Sequence, residues 1–146
     1  MKVQDVMTPE PQCCMSQDSL QRAAQMMVEC DCGEIPVVDQ QRKPIGVITD
    51  RDITCRAVAQ GRNPLEMSVA DVMSTPVVSV RETDDLEECC RLMEQKKIRR
   101  VPVIDENGIC SGIISLADIA QNLGEDNSGS VLRDVSQSTM HASNVG

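Results

Sequence analysis

The sequence predicts an α/β fold assembled from two β-α-β-β-α units, and three observations predict it. First, Gly46 to Ile53 reads GVITDRDI and Gly112 to Ile119 reads GIISLADI: glycine, two apolar residues, a hydroxyl, two variable positions, aspartate, isoleucine. Second, residues 3–58 align with residues 69–124 without a gap, and about a quarter of the pairs are identical where chance at average composition gives roughly one in fifteen. Third, each copy carries a helix-period apolar stripe followed by two short runs rich in β-branched residues.

Each repeat opens with a short helical turn, Val3 to Met7 and Val69 to Met73, leading through prolines to a short strand near Gln12 to Cys14 and Val77 to Val80. The first long helix is expected over Leu20 to Glu29 and Leu86 to Lys96, with apolar residues at 20, 23, 24 and 27 and at 86, 89, 90 and 93. That i, i+3, i+4, i+7 spacing makes one buried stripe, and Asp18 or Ser19, with Asp84 or Asp85, stand where an N-cap belongs. Two strands follow, Ile35 to Val38 and Ile45 to Thr49, repeated as Val101 to Ile104 and Ile109 to Ser115. Polar turns join them, Glu106-Asn107-Gly108 among them. A closing helix runs over Asp50 to Ala59 and Leu116 to Leu123. The organisation is therefore repeat one over 1–60, a connector over 61–68, repeat two over 69–124 and a polar tail over 125–146, a linker or disordered unless Val131 to Val135 docks as a helical turn.

A unit of about 60 residues buries only about 60% of the surface its unfolded chain exposes, so one repeat alone is marginal and two packed together are not. With no Phe, Trp or Tyr, the core must be filled by Val, Ile, Leu, nine Met and some of the eight Cys. The same lack removes any base-stacking platform, and a net charge of −9 repels a nucleic-acid polymer over most of the surface. A small anion on a local basic patch remains compatible. No apolar run approaches a membrane span and MKVQDVMTPE is no signal peptide, so a cytoplasmic protein with reduced thiols is expected.

DVMTP, the strands IPVVD and VPVID, and the pair GVITDRDI and GIISLADI resemble the two repeats of a CBS-domain pair, or Bateman module, over residues 1 to about 123. The resemblance implies two repeats packed with pseudo-twofold symmetry, apolar faces together, with a cleft for an adenosine nucleotide (AMP, ADP or ATP) on each side. It also implies a homodimer in which two pairs form a flat disc.

From spacing alone, Thr49-x-x-Asp52 and Ser115-x-x-Asp118 read as capping boxes, in which hydroxyl and carboxylate satisfy orphan backbone N–H groups. Gly46 and Gly112 also allow backbone to approach a ligand closely at a strand-to-helix junction. The resemblance implies that Asp52 and Asp118 accept hydrogen bonds from a ribose diol, with Thr49 and Ser115 beside them. It further implies that each cleft draws on both repeats, Gly33 and Ile35 facing the Asp118 site, Ile98 and Val101 the Asp52 site. Lys96-Lys97-Ile98-Arg99-Arg100 is the densest basic run. The lysines end a helix, where cations suit the dipole, which leaves Arg99 and Arg100 for phosphate; the resemblance gives Arg100 that role. Its counterpart in repeat one is Glu34, which repels phosphate, so the Asp118 and Arg100 cleft ranks first.

Cys89 and Cys90 take the places of Ala23 and Ala24 on the buried stripe, and Cys14 pairs with Val80, so these read as core. Cys30 and Cys32 align with Lys96 and Ile98 and are the least explained, fitting a thiol switch better than a metal site. The sole histidine, His141, lies in the tail, no Ser or Cys has an evident base nearby, and no metal triad assembles, so an enzyme is not expected. The leading reading is a stand-alone nucleotide-binding regulatory module acting on a separate, unidentified protein. The alternatives are a dimerisation or docking module with degenerate clefts and a thiol- or metal-responsive sensor.

Overall fold

The computed structural model describes residues 1–122. In chain order the elements are β1 (Thr8–Pro9), α1 (Leu20–Cys30), β2 (Glu34–Val38), β3 (Pro44–Thr49), α2 (Asp50–Ile53), β4 (Val80–Arg81), α3 (Leu86–Lys96), β5 (Arg100–Ile104), β6 (Cys110–Ser115) and α4 (Leu116–Asn122), with single 3-10 turns at Val3–Asp5, Pro64–Glu66 and Val69–Asp71. The expected α/β class and its two repeats are present. The expected ends of the last helix at Leu123, the tail over 125–146 and His141 lie outside the described residues.

The hairpins β2–β3 and β5–β6 repeat each other pair for pair. Ile35 faces Ile48 and Val37 faces Gly46 in one; Val101 faces Ile114 and Val103 faces Gly112 in the other. Alternation sends Ile35, Val37 and Ile48, and Val101, Val103 and Ile114, inward, each at most 1% exposed. Helices α1 and α3 lay Leu20, Ala23 and Met27, and Leu86, Cys89, Cys90 and Met93, onto these sheets.

Ser19, rather than Asp18, caps α1, its hydroxyl accepting from Arg22 N at 3.0 Å. Asp85 stands at the N-cap of α3 without a side-chain cap bond, because its carboxylate binds Lys2 Nζ at 2.7 Å. Both helices end on a left-handed residue, Asp31 (φ 51°) and Lys97 (φ 55°). Cys32 N and Ile98 N then reach back to Met27 O and Met93 O at 3.0 and 3.1 Å.

Two elements differ from expectation. The strand near Gln12 to Cys14 is reduced to one parallel bridge, Cys14 to Val37. The closing helix of repeat one is α-helical only to Ile53 and widens into a π turn over Thr54–Val58. At that junction the Thr54 hydroxyl donates to Asp50 O at 3.0 Å, competing with the regular ladder.

The repeats exchange their opening arms. β1 of repeat one pairs with β6 of repeat two, completing the sheet order β1-β6-β5-β4. Reciprocally, Ser74 of repeat two pairs with Val47 on β3, with N–H to O distances of 2.8 and 3.1 Å. The turns go with the arms. Val3 is buried among Leu86, Met93 and Ile119 of repeat two, and Val69 among Leu20, Met27 and Ile48 of repeat one, both 0% exposed. Each such side chain contributes roughly 1.5–3 kcal/mol by burial, so neither core is complete without the other repeat's arm.

This exchange gives the glycines of the doubled motif their reason. A Cβ at Gly46 would stand 2.7 Å from Ser74 O, and one at Gly112 3.0 Å from Thr8 O. The space expected for a ligand is filled by the incoming arm.

Candidate functional site: the cleft at Arg100

The register that builds the hairpins also builds the site. Glu34 opens β2 opposite Thr49, and Arg100 opens β5 opposite Ser115. Beyond each hairpin the chain enters a helix through a complete capping box. Thr49 N donates to Asp52 Oδ2 and Asp52 N to Thr49 Oγ1, both at 3.0 Å. In repeat two Ser115 N donates to Asp118 Oδ2 at 2.9 Å and Asp118 N to Ser115 Oγ at 3.1 Å.

The two aspartates then part company. Asp52 is 8% exposed; Ser74 Oγ donates to its Oδ1 at 3.1 Å and Arg56 Nη1 stands 3.8 Å away. It thus ties α2 to the arm of repeat two. Asp118 is half-buried, and among the described residues its Oδ1 has no partner. The cause lies one turn on: where repeat one has Arg56, repeat two has Asn122, whose amide donates to the Asp118 backbone carbonyl instead. Arg56 is the residue sequence reasoning missed, and the Arg-for-Asn difference between aligned repeats was the available signal.

A cleft of about 250 Å³ lies between the repeats, walled by Thr8, Gln12, Glu34 and Ile35 from one and by Arg100 and Ile113 from the other. A shallower hollow next to it brings Gly33, Asp31 and Asp50 to the same Arg100. The Arg100 guanidinium makes no hydrogen bond or ion pair with the described residues. Glu34 is half-buried as a residue, yet its Oε2 is enclosed and has no hydrogen-bond partner among them. Burial pushes its carboxyl up to about 7, with Arg100 pulling down and Asp52 adding to the rise. Sequence reasoning put Glu34 and Arg100 in separate clefts; they share one.

Of the residues singled out from sequence, Gly33, Ile35 and Arg100 come together here. Thr49, Asp52, Ser115 and Asp118 form the two boxes but do not line the cleft. Val101 is 0% exposed in the core of repeat two, and Ile98 packs against that core. Arg99 is exposed, its carbonyl accepting from Leu116 N at 2.7 Å. A larger hollow, of about 540 Å³, lies beyond β4 and β5 and is lined by Glu82, Asp105 and Glu106 with Arg81; it contains none of these residues.

Cys30 and Cys32 form a disulfide in the cleft wall, so reduced thiols are not found there. The other six cysteines are outside any disulfide, and Cys14 and Cys89 have thiols that burial pushes up to about 12, as suits core residues. Among the described residues no group of three or more His, Cys, Asp or Glu is arranged to hold a metal, and no helix is long and apolar enough to cross a membrane.

The CBS-domain sequence profile matches residues 3–57 and 69–125. The chain belongs to the CBS-domain family. As a CBS-domain pair it is 39% identical over 140 residues to the CBS domain-containing protein YhcV of Bacillus subtilis, covering 95% of this chain and 98% of YhcV. It is 42% identical over 98 residues to the uncharacterized protein MK0525 of Methanopyrus kandleri, of which it spans 50%. Among solved structures, CBSX2 in complex with AMP superposes with a TM-score of 0.72 at 27% identity, over 82% of this chain and 93% of that one. The CBS domain pair of MJ0100, in complex with 5′-methylthioadenosine and S-adenosyl-L-methionine, gives 0.74 at 26% identity, over 83% and 94%.

Proposed function

We propose that this CBS-domain pair is a regulatory module that binds an adenosine nucleotide, AMP, ADP or ATP, between its repeats. It catalyses no reaction and signals to a separate protein by a change in its own shape or dimer packing. The observation that carries the reading is Arg100: a guanidinium without a partner among the described residues, in a cleft built by both repeats with Ile35 and Ile113 in its walls. A phosphate supplies the charge-assisted partner it lacks, and a ligand touching both repeats favours whichever relative arrangement it fits. The AMP complex of CBSX2 and the adenosine ligands of MJ0100 support the same ligand class. With no aromatic residue to stack on the base, affinity is expected to be modest.

The proposal includes a homodimer, for which Met1, Val28, Val58 and Leu65 are the large apolar side chains exposed among the described residues. It also includes a cytoplasmic setting, which the six thiols outside any disulfide suit. Calorimetric titration with AMP, ADP, ATP and S-adenosylmethionine tests the reading, followed by Arg100→Ala, Asp118→Ala and Asp52→Ala. Heat that disappears in Arg100→Ala supports it. Silence with every ligand supports the docking-module reading instead, which the occupied Asp52 carboxylate favours.

A further inference from the structure

The Arg100 cleft is not a plain anion site. Glu34 on β2 and Asp31 at the end of α1 share the cleft with the Arg100 guanidinium, Asp50 on α2 joins them in the adjoining hollow, and Asp52 on α2 acts on Glu34 from behind the wall. Asp52 is held by Arg56 and Ser74. Glu34 differs from the rest, because its Oε2 is enclosed at the cleft with no hydrogen-bond partner among the described residues. A buried polar atom left so normally finds its hydrogen bond in water or ligand.

We propose that Glu34 sets the charge class of adenosine ligand the cleft accepts, its carboxylate opposing a 5′-phosphate at Arg100 and favouring a 5′ group that is neutral or cationic. The inference rests on the adenosine-binding reading above and narrows it. Two like charges within one small cleft repel, and a low-dielectric wall strengthens the effect. A cationic group, such as a sulfonium, is attracted by the same carboxylate. Glu34 titrates near neutrality, its value raised to about 7 first by burial. Below that pH it is a neutral acid that tolerates phosphate and offers a hydrogen-bond donor; above it, its charge weakens phosphate binding at Arg100 without abolishing it.

The test is titration of wild type and Glu34→Gln with AMP, 5′-methylthioadenosine and S-adenosylmethionine at pH 6 and pH 8. At pH 8, Glu34→Gln is expected to bind AMP about tenfold more tightly than wild type and to lose preference for the sulfonium ligand, as removal of one nearby charge implies. The phosphate of AMP itself titrates near 6, and Glu34→Gln subtracts that contribution. Relative to Glu34→Gln, the ratio of AMP to methylthioadenosine affinity in wild type should fall between pH 6 and pH 8. Equal AMP affinity and equal pH dependence in the two proteins would overturn the role of Glu34 while leaving nucleotide binding intact. No binding of any of the three ligands to either protein would overturn both.

Discussion

Glu34→Gln also makes a prediction that needs no ligand. In the folded protein the Glu34 carboxyl is raised from 4.5 to about 7, by burial first, against the pull of Arg100 and with a further push from Asp52. A raised value means that the folded state holds the proton more tightly than the unfolded chain. The stabilisation is therefore complete below about pH 4.5, declines as pH rises, and is gone above about pH 7. At about 1.4 kcal/mol per pH unit, the whole swing is at most about 3.5 kcal/mol. Partial exposure of the residue reduces the expectation to about 2 kcal/mol. Gln has no such titration, so the difference between the two proteins isolates the term, whatever Gln itself costs to bury. Thermal melts of both from pH 4.5 to pH 8.5 should show Glu34→Gln gaining about 2 kcal/mol relative to wild type, roughly 6–8 °C at this chain length. Parallel curves across that range would refute the claim that the carboxyl is desolvated beside Arg100.

Gly46→Ala places a methyl 2.7 Å from Ser74 O, so it should cost about 2 kcal/mol in a denaturant melt; a neutral result would mean the arm does not sit against β3. Val3→Ala and Val69→Ala each truncate a fully buried side chain in the other repeat's core, with an expected loss of about 2 kcal/mol apiece. Because the arms are exchanged, both cores should open in one transition, with Cys14 and Cys89 becoming reactive to a thiol reagent at the same denaturant concentration. Labelling of one well before the other would count against the exchange. Asp52→Ala should destabilise by about 2 kcal/mol and Asp118→Ala by about 1, since both lose a cap but only Asp52 also holds Ser74 and Arg56.

The repeats, hairpins and long helices were legible because periodicity is local: the stripe at 20, 23, 24 and 27 and the alternation through Ile35 and Val37 each encode one buried face. Capping boxes were legible for the same reason, as Thr49 and Asp52 lie three residues apart. What pattern cannot encode is the identity of the sheet an arm joins. Val3 and Val69 look apolar whichever core receives them, so Gly46 and Gly112 were assigned to a ligand and not to the arm lying on them. The cleft was half legible. Arg100 stood out as a cation in an acidic chain, but its proximity to Glu34 follows from how the repeats face each other, and residues 66 apart in sequence carry no local trace of that.

The reciprocal exchange has a consequence for any truncated form of this protein. A peptide ending near Glu66 would possess a socket shaped for Val69 and a free segment shaped for the socket around Met93, and in its own sequence these are nearly the same key and the same lock. Two such half-length chains would supply each other with what each lacks, so the half-molecule is expected to pair with itself before it folds alone.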